Sequence, residues 1–216
     1  MNKRNFQKEL DALIGRLPKD EAAPTLLLHS CCAPCSSYTL EYLSKYFRIT
    51  VLYFNPNIMR KAEYEKRVAE QQRLIEALNT KHLTLNTEHE TLNQITFISG
   101  RYEPREFVEA VKGMEEEPEG GRRCWVCYKL RLEEAAKIAK EGNFDYFCTT
   151  LSISPLKHAD WLNEIGETLA EEYGVRWLPS DFKKKGGYKR SIELSKEYDL
   201  YRQNFCGCEY SRRMQE

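Results

Sequence analysis

Apolar positions along this chain alternate between two rhythms, short continuous runs and helical stripes. Phe6, Leu10, Leu13 and Ile14 keep helical spacing, which predicts an amphipathic helix over residues 1–23, ended by Pro24. Residues 25–29 form a short apolar run and read as a buried strand. Residues 30–37 are small, polar and rich in cysteine, and a helix is expected over 37–46. Residues 49–54 are again mainly apolar, as in strands buried on both faces of a parallel sheet. Strand, loop, helix and strand compose a βαβ crossover. Asn55-Pro56-Asn57 reads as the loop beyond it. Val68, Leu74, Ile75 and Leu78 mark a helix over 61–78, and a third strand is predicted over 83–86. The pattern weakens across 93–121, where 103–111 reads as helix and 114–121 as an acidic loop. Beyond it come a helix over 128–140, a strand over 144–150, a helix over 161–173 and a short strand over 175–178. The remainder is polar, basic and loop-rich, with a helix over 190–198.

Alternation of this kind predicts an α/β fold built on a doubly wound, mostly parallel sheet. Ligands of such sheets sit outside the carboxyl ends of the strands. That rule directs attention to the loops at 30–37, 55–57 and 149–154. With 216 residues, the chain suits a single α/β domain spanning 1–216, carrying a basic, cysteine-containing C-terminal segment at about 179–216. The apolar runs are too short to span a bilayer, so no membrane association is expected. The charged N-terminal residues lack a secretory pattern, and a cytoplasmic location is expected.

Charge alters the picture only locally. The 33 Lys and Arg residues balance 33 Asp and Glu residues, so net charge announces no nucleic acid. Acidic residues cluster at Glu115, Glu116, Glu117 and Glu119. Basic residues cluster at Lys183, Lys184, Lys185, Lys189 and Arg190, around Gly186, Gly187 and Tyr188. No acidic residue interrupts that basic run, which makes it a candidate RNA-binding segment rather than a salt-bridged helix face.

Cysteine changes the picture most. Eight cysteines in a chain with no secretory pattern point to metal ligands or redox catalysts rather than structural disulfides. Cys31 and Cys32, with Cys35 close behind, follow the first strand. Cys124 and Cys127 open a predicted helix beside Arg122 and Arg123, where free backbone N–H groups favour a thiolate. The two pairs make a four-thiolate site from Cys31, Cys32, Cys124 and Cys127 plausible. Side chains of adjacent cysteines diverge, which favours an iron–sulfur cluster over one zinc ion and leaves Cys35 as a nearby third thiol. Cys206-Gly207-Cys208 permits a strained, redox-active disulfide; the alternative is that both are further ligands. Cys148 reads as an inert buried thiol.

Six motifs in order then resemble one family. They are His29-Ser30-Cys31-Cys32-Ala33-Pro34-Cys35-Ser36, Tyr53-Phe54-Asn55-Pro56-Asn57, Cys124-Trp125-Val126-Cys127-Tyr128, Thr149-Thr150-Leu151-Ser152-Ile153-Ser154-Pro155, Phe182-Lys183-Lys184 with Gly186-Gly187-Tyr188, and Phe205-Cys206-Gly207-Cys208. Together they resemble the cobalamin-independent epoxyqueuosine reductases, the QueH family. The resemblance implies removal of the epoxide oxygen from epoxyqueuosine at the tRNA wobble position, the last step of queuosine synthesis. It implies a 4Fe-4S cluster on Cys31, Cys32, Cys124 and Cys127, and a redox-active pair in Cys206 and Cys208. Some members similar to this chain have Asp where it has Cys35, and there that residue helps hold an extra iron; Cys35 leaves room for one additional iron. The implied fold is nucleotide-binding alpha-hydrolase-like, related to the PP-loop group. Cysteines stand where that group cradles pyrophosphate, so ATP use is not expected.

Such a reaction needs two electrons, a Lewis-acidic place for the oxygen and exclusion of water. Cys35, Cys206 and Cys208 are the candidate catalytic residues, with Tyr38, His29 and His158 as candidate proton donors, although His29, at a strand end, reads as a core or supporting residue rather than an acid. The implied partners are tRNA carrying epoxyqueuosine and an electron donor that the sequence does not identify. The rival functions are a zinc-stabilised RNA-binding module without catalysis and a thiol–disulfide oxidoreductase using Cys206 and Cys208.

Overall fold

The computed structural model describes residues 4–18, 22–85 and 92–213. Five parallel strands lie in the order β3-β2-β1-β4-β5, with β1 Thr25–His29, β2 Arg48–Tyr53, β3 Thr96–Ser99, β4 Tyr146–Thr149 and β5 Arg176–Trp177. Leu26 of β1 pairs with Ile49 on one side and Tyr146 on the other. Residues 26–29 and all of β4 are buried, which is why their sequences run without polar alternation. The order of strand addition reverses at β1, so the switch point lies between the carboxyl ends of β1 and β4.

Helices α1 Phe6–Ile14, α2 Ala33–Leu43, α3 Lys61–Leu85, α4 Pro104–Ala110, α5 Arg122–Glu141, α6 Ala159–Tyr173, α7 Gly187–Glu197 and α8 Glu209–Arg213 surround the sheet. The helix expected over 1–23 occupies only Phe6–Ile14 among the described residues. Gly15 ends it and Pro18 forbids its resumption; residues 1–3 and 19–21 lie outside the described residues. Helix α2 begins four residues earlier than expected. Pro34 suits a first turn, where its missing N–H costs nothing, and Cys32 is the N-cap. Cys31, Cys32 and Cys35 are thereby wrapped around one helix N-terminus.

The strand expected over 83–86 is overturned: α3 continues through Leu85, and residue 86 lies outside the described residues. His82 is buried one turn beyond Leu78, and its Nδ1 donates to the Asn93 carbonyl at 3.1 Å. That interaction extends the helix's buried stripe. The third strand falls at Thr96–Ser99, at the sheet edge, where Thr96 and Ser99 are exposed. Its only apolar residues are Phe97 and Ile98, too few for a strand signal.

Helix α6 ends at Gly174, whose φ of 68° is left-handed. In its middle, Gly166 lies flat against the Trp177 indole, where a Cβ would clash. Asn163, one turn earlier, accepts from Trp177 Nε1 at 3.0 Å and from Ser180 N at 2.9 Å. Gly166→Ala should therefore lower unfolding stability by about 1–3 kcal/mol through overpacking, read by denaturant titration; an unchanged midpoint would show that the indole moves freely.

Candidate metal centre

The Sγ atoms of Cys31, Cys32 and Cys35 all lie within 4.8 Å of one another. Cys31 and Cys32 Sγ are 3.8 Å apart, and Cys31 Sγ is 3.7 Å from Thr150 Oγ1 in the turn after β4. Hydrogen bonds from Cys32 and Cys35 hold the Cys31 thiol well below its usual range, with help from the Arg131 charge. The same interactions push Cys32 up to about 12 and Cys35 well above its usual value. Three sulfurs within 4.8 Å of one another make a soft donor set suited to a transition metal.

Polar residues buried beneath hold this loop. Ser30 and Ser36 Oγ both donate to Gln71 Oε1, at 2.7 and 2.8 Å. Asn55 Nδ2 donates to the Ser30 carbonyl at 2.8 Å, and Asn55 Oδ1 accepts from Arg131 Nη2. The Asn-Pro-Asn loop therefore ties the cysteine loop to α5. His29 is fully buried, with Nδ1 2.8 Å from Thr149 Oγ1, and burial followed by the Arg131 charge pushes it down to about 3. It is a neutral scaffold group.

Cys124 and Cys127 occupy the first two turns of α5, and Arg131 follows on the same face. The Gly120 N–H donates to Cys124 Sγ at 3.2 Å, although burial still raises that thiol. Burial pushes Cys127 up to about 12, and Arg131 Nη1 lies 3.9 Å from its sulfur. All eight cysteines are free thiols. Gly207 separates Cys206 from Cys208 with φ at 99°, a conformation that needs glycine. Arg67 holds this segment, donating from Nη1 to the Cys206 carbonyl at 3.2 Å.

A crevice of about 350 Å³ opens at the switch point, lined in part by Cys31, Cys32, Cys35 and Cys206. A smaller void is lined by Cys124, Cys127, Cys206 and Cys208. Cys206, Arg131 and Lys157 line both. Lys157, 8% exposed, places Nζ 3.0 Å from Glu119 Oε1 and 3.5 Å from Cys206 Sγ.

Of the proton-donor candidates, none lines the crevice. Tyr38 stacks on Tyr42, and His158 packs on Trp161. Glu119, Lys157, Arg67, Arg131 and Arg202 are instead the charged groups at the crevice wall that sequence reasoning missed. Arg131 alone had a legible signal, its position one turn beyond Cys127. Cys148 Sγ lies 3.2 Å from the Leu178 carbonyl, and burial pushes it up to about 12, as suits an inert thiol.

The basic segment differs from its expectation. Acidic partners come from within the segment and from outside it: Lys183 pairs with Asp181, Lys185 with Asp11 of α1, and Arg190 with Glu41 of α2 and with Glu193 and Glu197 of its own helix. Lys184 and Lys189 are exposed without a side-chain partner among the described residues. Tyr188, 37% exposed, stands at the crevice.

Fold and site together define an α/β protein whose switch point carries a cysteine cluster able to hold a metal. Among the described residues, no helix is long and apolar enough to cross a membrane. A family model described as Epoxyqueuosine reductase QueH matches residues 26–214. The chain is 43% identical over 213 residues to the epoxyqueuosine reductase QueH of Streptococcus pyogenes serotype M1, covering 99% of this chain and 80% of that protein. It is 42% identical over 211 residues to that of Staphylococcus epidermidis, with coverage of 97% and 85%. It is 35% identical over 194 residues to that of Thermotoga maritima, with coverage of 87% and 90%. The chain belongs to the epoxyqueuosine reductase QueH family.

Proposed function

We propose that this chain is an epoxyqueuosine reductase of queuosine biosynthesis that removes the epoxide oxygen from epoxyqueuosine at the wobble position of tRNA. The observation that carries this reading is the cysteine triad facing a crevice at the switch point, in a chain of this family. The donor set fits an iron–sulfur cluster: three soft sulfurs lie within 4.8 Å of one another, and a fourth, Cys127 Sγ, lies 3.9 Å from Arg131, a buried cation for which no carboxylate partner is found among the described residues.

Cys31, Cys32, Cys124 and Cys127 would hold a 4Fe-4S cluster, with Cys35 beside it for one additional iron. Support comes from Arg131, which feels the sulfurs of both Cys127 and Cys31. When bound, the cluster would pass electrons singly, and an iron beside Cys35 would supply Lewis acidity. The chain's own residues do the rest. Leu151, Ile153, Pro155 and Leu156 line the crevice and keep bulk water from hydrolysing the epoxide. Deoxygenation of an epoxide to an alkene and water consumes two electrons and two protons. Oxidation of Cys206 and Cys208 to a disulfide releases the same number, and an external electron donor then reduces the pair. Lys157 Nζ holds a proton at the crevice wall, kept charged against burial by Cys206, Tyr128 and Glu119. A reducing cytoplasm is the setting that suits eight free thiols.

The reaction is tested with anaerobically reconstituted protein, tRNA carrying epoxyqueuosine and a chemical reductant, followed by nucleoside mass analysis. Loss of one oxygen atom from the modified base is expected. Unchanged nucleoside beside fully loaded protein would overturn the reading.

The basic segment would contact the tRNA backbone through Lys184 and Lys189, with Tyr188 stacking on an unpaired base and the paired Lys183, Lys185 and Arg190 shaping the loop. Lys184→Ala combined with Lys189→Ala should weaken tRNA binding and reduce its salt slope by about two, roughly one for each phosphate no longer neutralised. Superimposable salt curves for both proteins would remove this segment from the interface.

A further inference from the structure

Four buried cations stand around the cysteines, and two have carboxylate partners. Arg67 Nε reaches Glu63 at 2.6 Å, and Lys157 reaches Glu119 at 3.0 Å. Arg123 donates through Nη1 alone to the Met114 and Glu115 carbonyls at 3.2 and 2.7 Å, and none of its hydrogen-bond partners among the described residues is a sulfur. Arg131, 1% exposed, has no carboxylate within ion-pair distance among the described residues. Its Nη2 donates to Asn55 Oδ1, its Nε points at His29 Nε2 at 3.3 Å, and its Nη1 lies 3.9 Å from Cys127 Sγ. Asn55 and His29 are neutral. A guanidinium does not lose its proton in a protein, and an unpaired buried charge is costly. The groups facing it most closely that can carry negative charge are sulfurs, with Cys127 Sγ at 3.9 Å.

We infer that Arg131 is the fixed counter-charge of the thiolate centre and makes that centre easier to reduce. The inference rests on the cysteine-held cluster proposed above. Arg131 touches no substrate; it is a positioning residue acting through charge. Adding one electron makes the centre more negative, and a buried cation beside a ligand sulfur favours the reduced form. The guanidinium direction is also set, because Asn55 holds Nη2 and is itself anchored to the Ser30 carbonyl at 2.8 Å, next to Cys31. Burial opposes the Arg131 charge, and Cys127, Cys31 and Cys206 more than offset it.

Redox titration of the cluster-loaded protein, followed by its visible spectrum, tests this with three variants. Arg131→Gln should make one-electron reduction at least about tenfold less favourable, a shift of about 59 mV to lower potential. Arg131→Lys should stay close to wild type. Asn55→Asp leaves the arginine in place but gives it a carboxylate partner, and should shift the potential in the same direction as Arg131→Gln. Equal potentials in wild type, Arg131→Gln and Asn55→Asp would overturn the inference, and so would equal shifts in Arg131→Gln and Arg131→Lys. Should Arg131→Gln fail to fold, Asn55→Asp alone decides. A second arm uses metal-free protein and Co2+ alone, whose thiolate complexes absorb in the visible. Arg131→Gln should bind Co2+ at least tenfold more weakly than wild type, with Arg131→Lys nearer to wild type. If wild type takes up no iron and sulfide, the cluster reading fails; Co2+ affinity then decides the counter-charge, and equal affinities overturn it.

Discussion

Cys124→Ala protein, reconstituted anaerobically, should lose the iron and sulfide that wild type retains, together with its broad visible absorption. Cys124 sits in the first turn of α5, where the Gly120 N–H already donates to its sulfur at 3.2 Å. Such a donor lowers the cost of a thiolate without supplying a replacement ligand. Loss of groups that merely orient metal ligands costs about 10–100-fold, so loss of a ligand should exceed that in both retention and deoxygenation. The same outcome is expected for Cys31, Cys32 and Cys127. Cys148→Ala is the control, because that thiol faces the Leu178 carbonyl and Ser180. Wild-type iron and sulfide in Cys124→Ala would remove it from the ligand set.

Cys208→Ser protein should keep its cluster, complete one round of deoxygenation with electrons supplied beforehand, and then stop. Cys206 lines the same crevice as the cysteine triad, whereas Cys208 is 5% exposed and lines only the smaller void. That arrangement puts Cys206 at the crevice and Cys208 in shelter. Lys157 Nζ lies 3.5 Å from Cys206 Sγ, at the wall that the crevice and the smaller void share. If both cysteines were cluster ligands instead, Cys208→Ser would lose iron along with turnover. Normal repeated turnover with an intact cluster would end the redox assignment.

The legible parts of this protein were those whose function and packing share one stretch of chain. Leu26, Leu27 and Leu28 are buried in the central strand, and Cys31, Cys32 and Cys35 follow directly, so strand and metal-capable loop could be read together. Strand β3 was hidden because an edge strand of four residues needs little apolar surface. The end of α3 was misread because His82, a polar residue, continues a buried stripe. Ion pairs of the basic segment were hidden for a related reason: Asp11 and Glu41, which pair with Lys185 and Arg190, lie far away in sequence. Lys157 and Glu119 meet Cys206 only through tertiary folding, and no local pattern announces such a meeting.

Strands β1 and β4 are neighbours at the switch point, yet Thr25 and Asp145, which bond across them, are 120 residues apart. Parallel pairing over such a span is slow to form, because the loop must close before any interaction rewards it. During synthesis the ribosome releases Cys31, Cys32 and Cys35 long before β4 exists to seat them. The thiols therefore wait, uncommitted, through most of translation. Seating of the cysteine loop thus waits for β4, and thiols left open for that long keep their chemistry only where sulfur stays reduced.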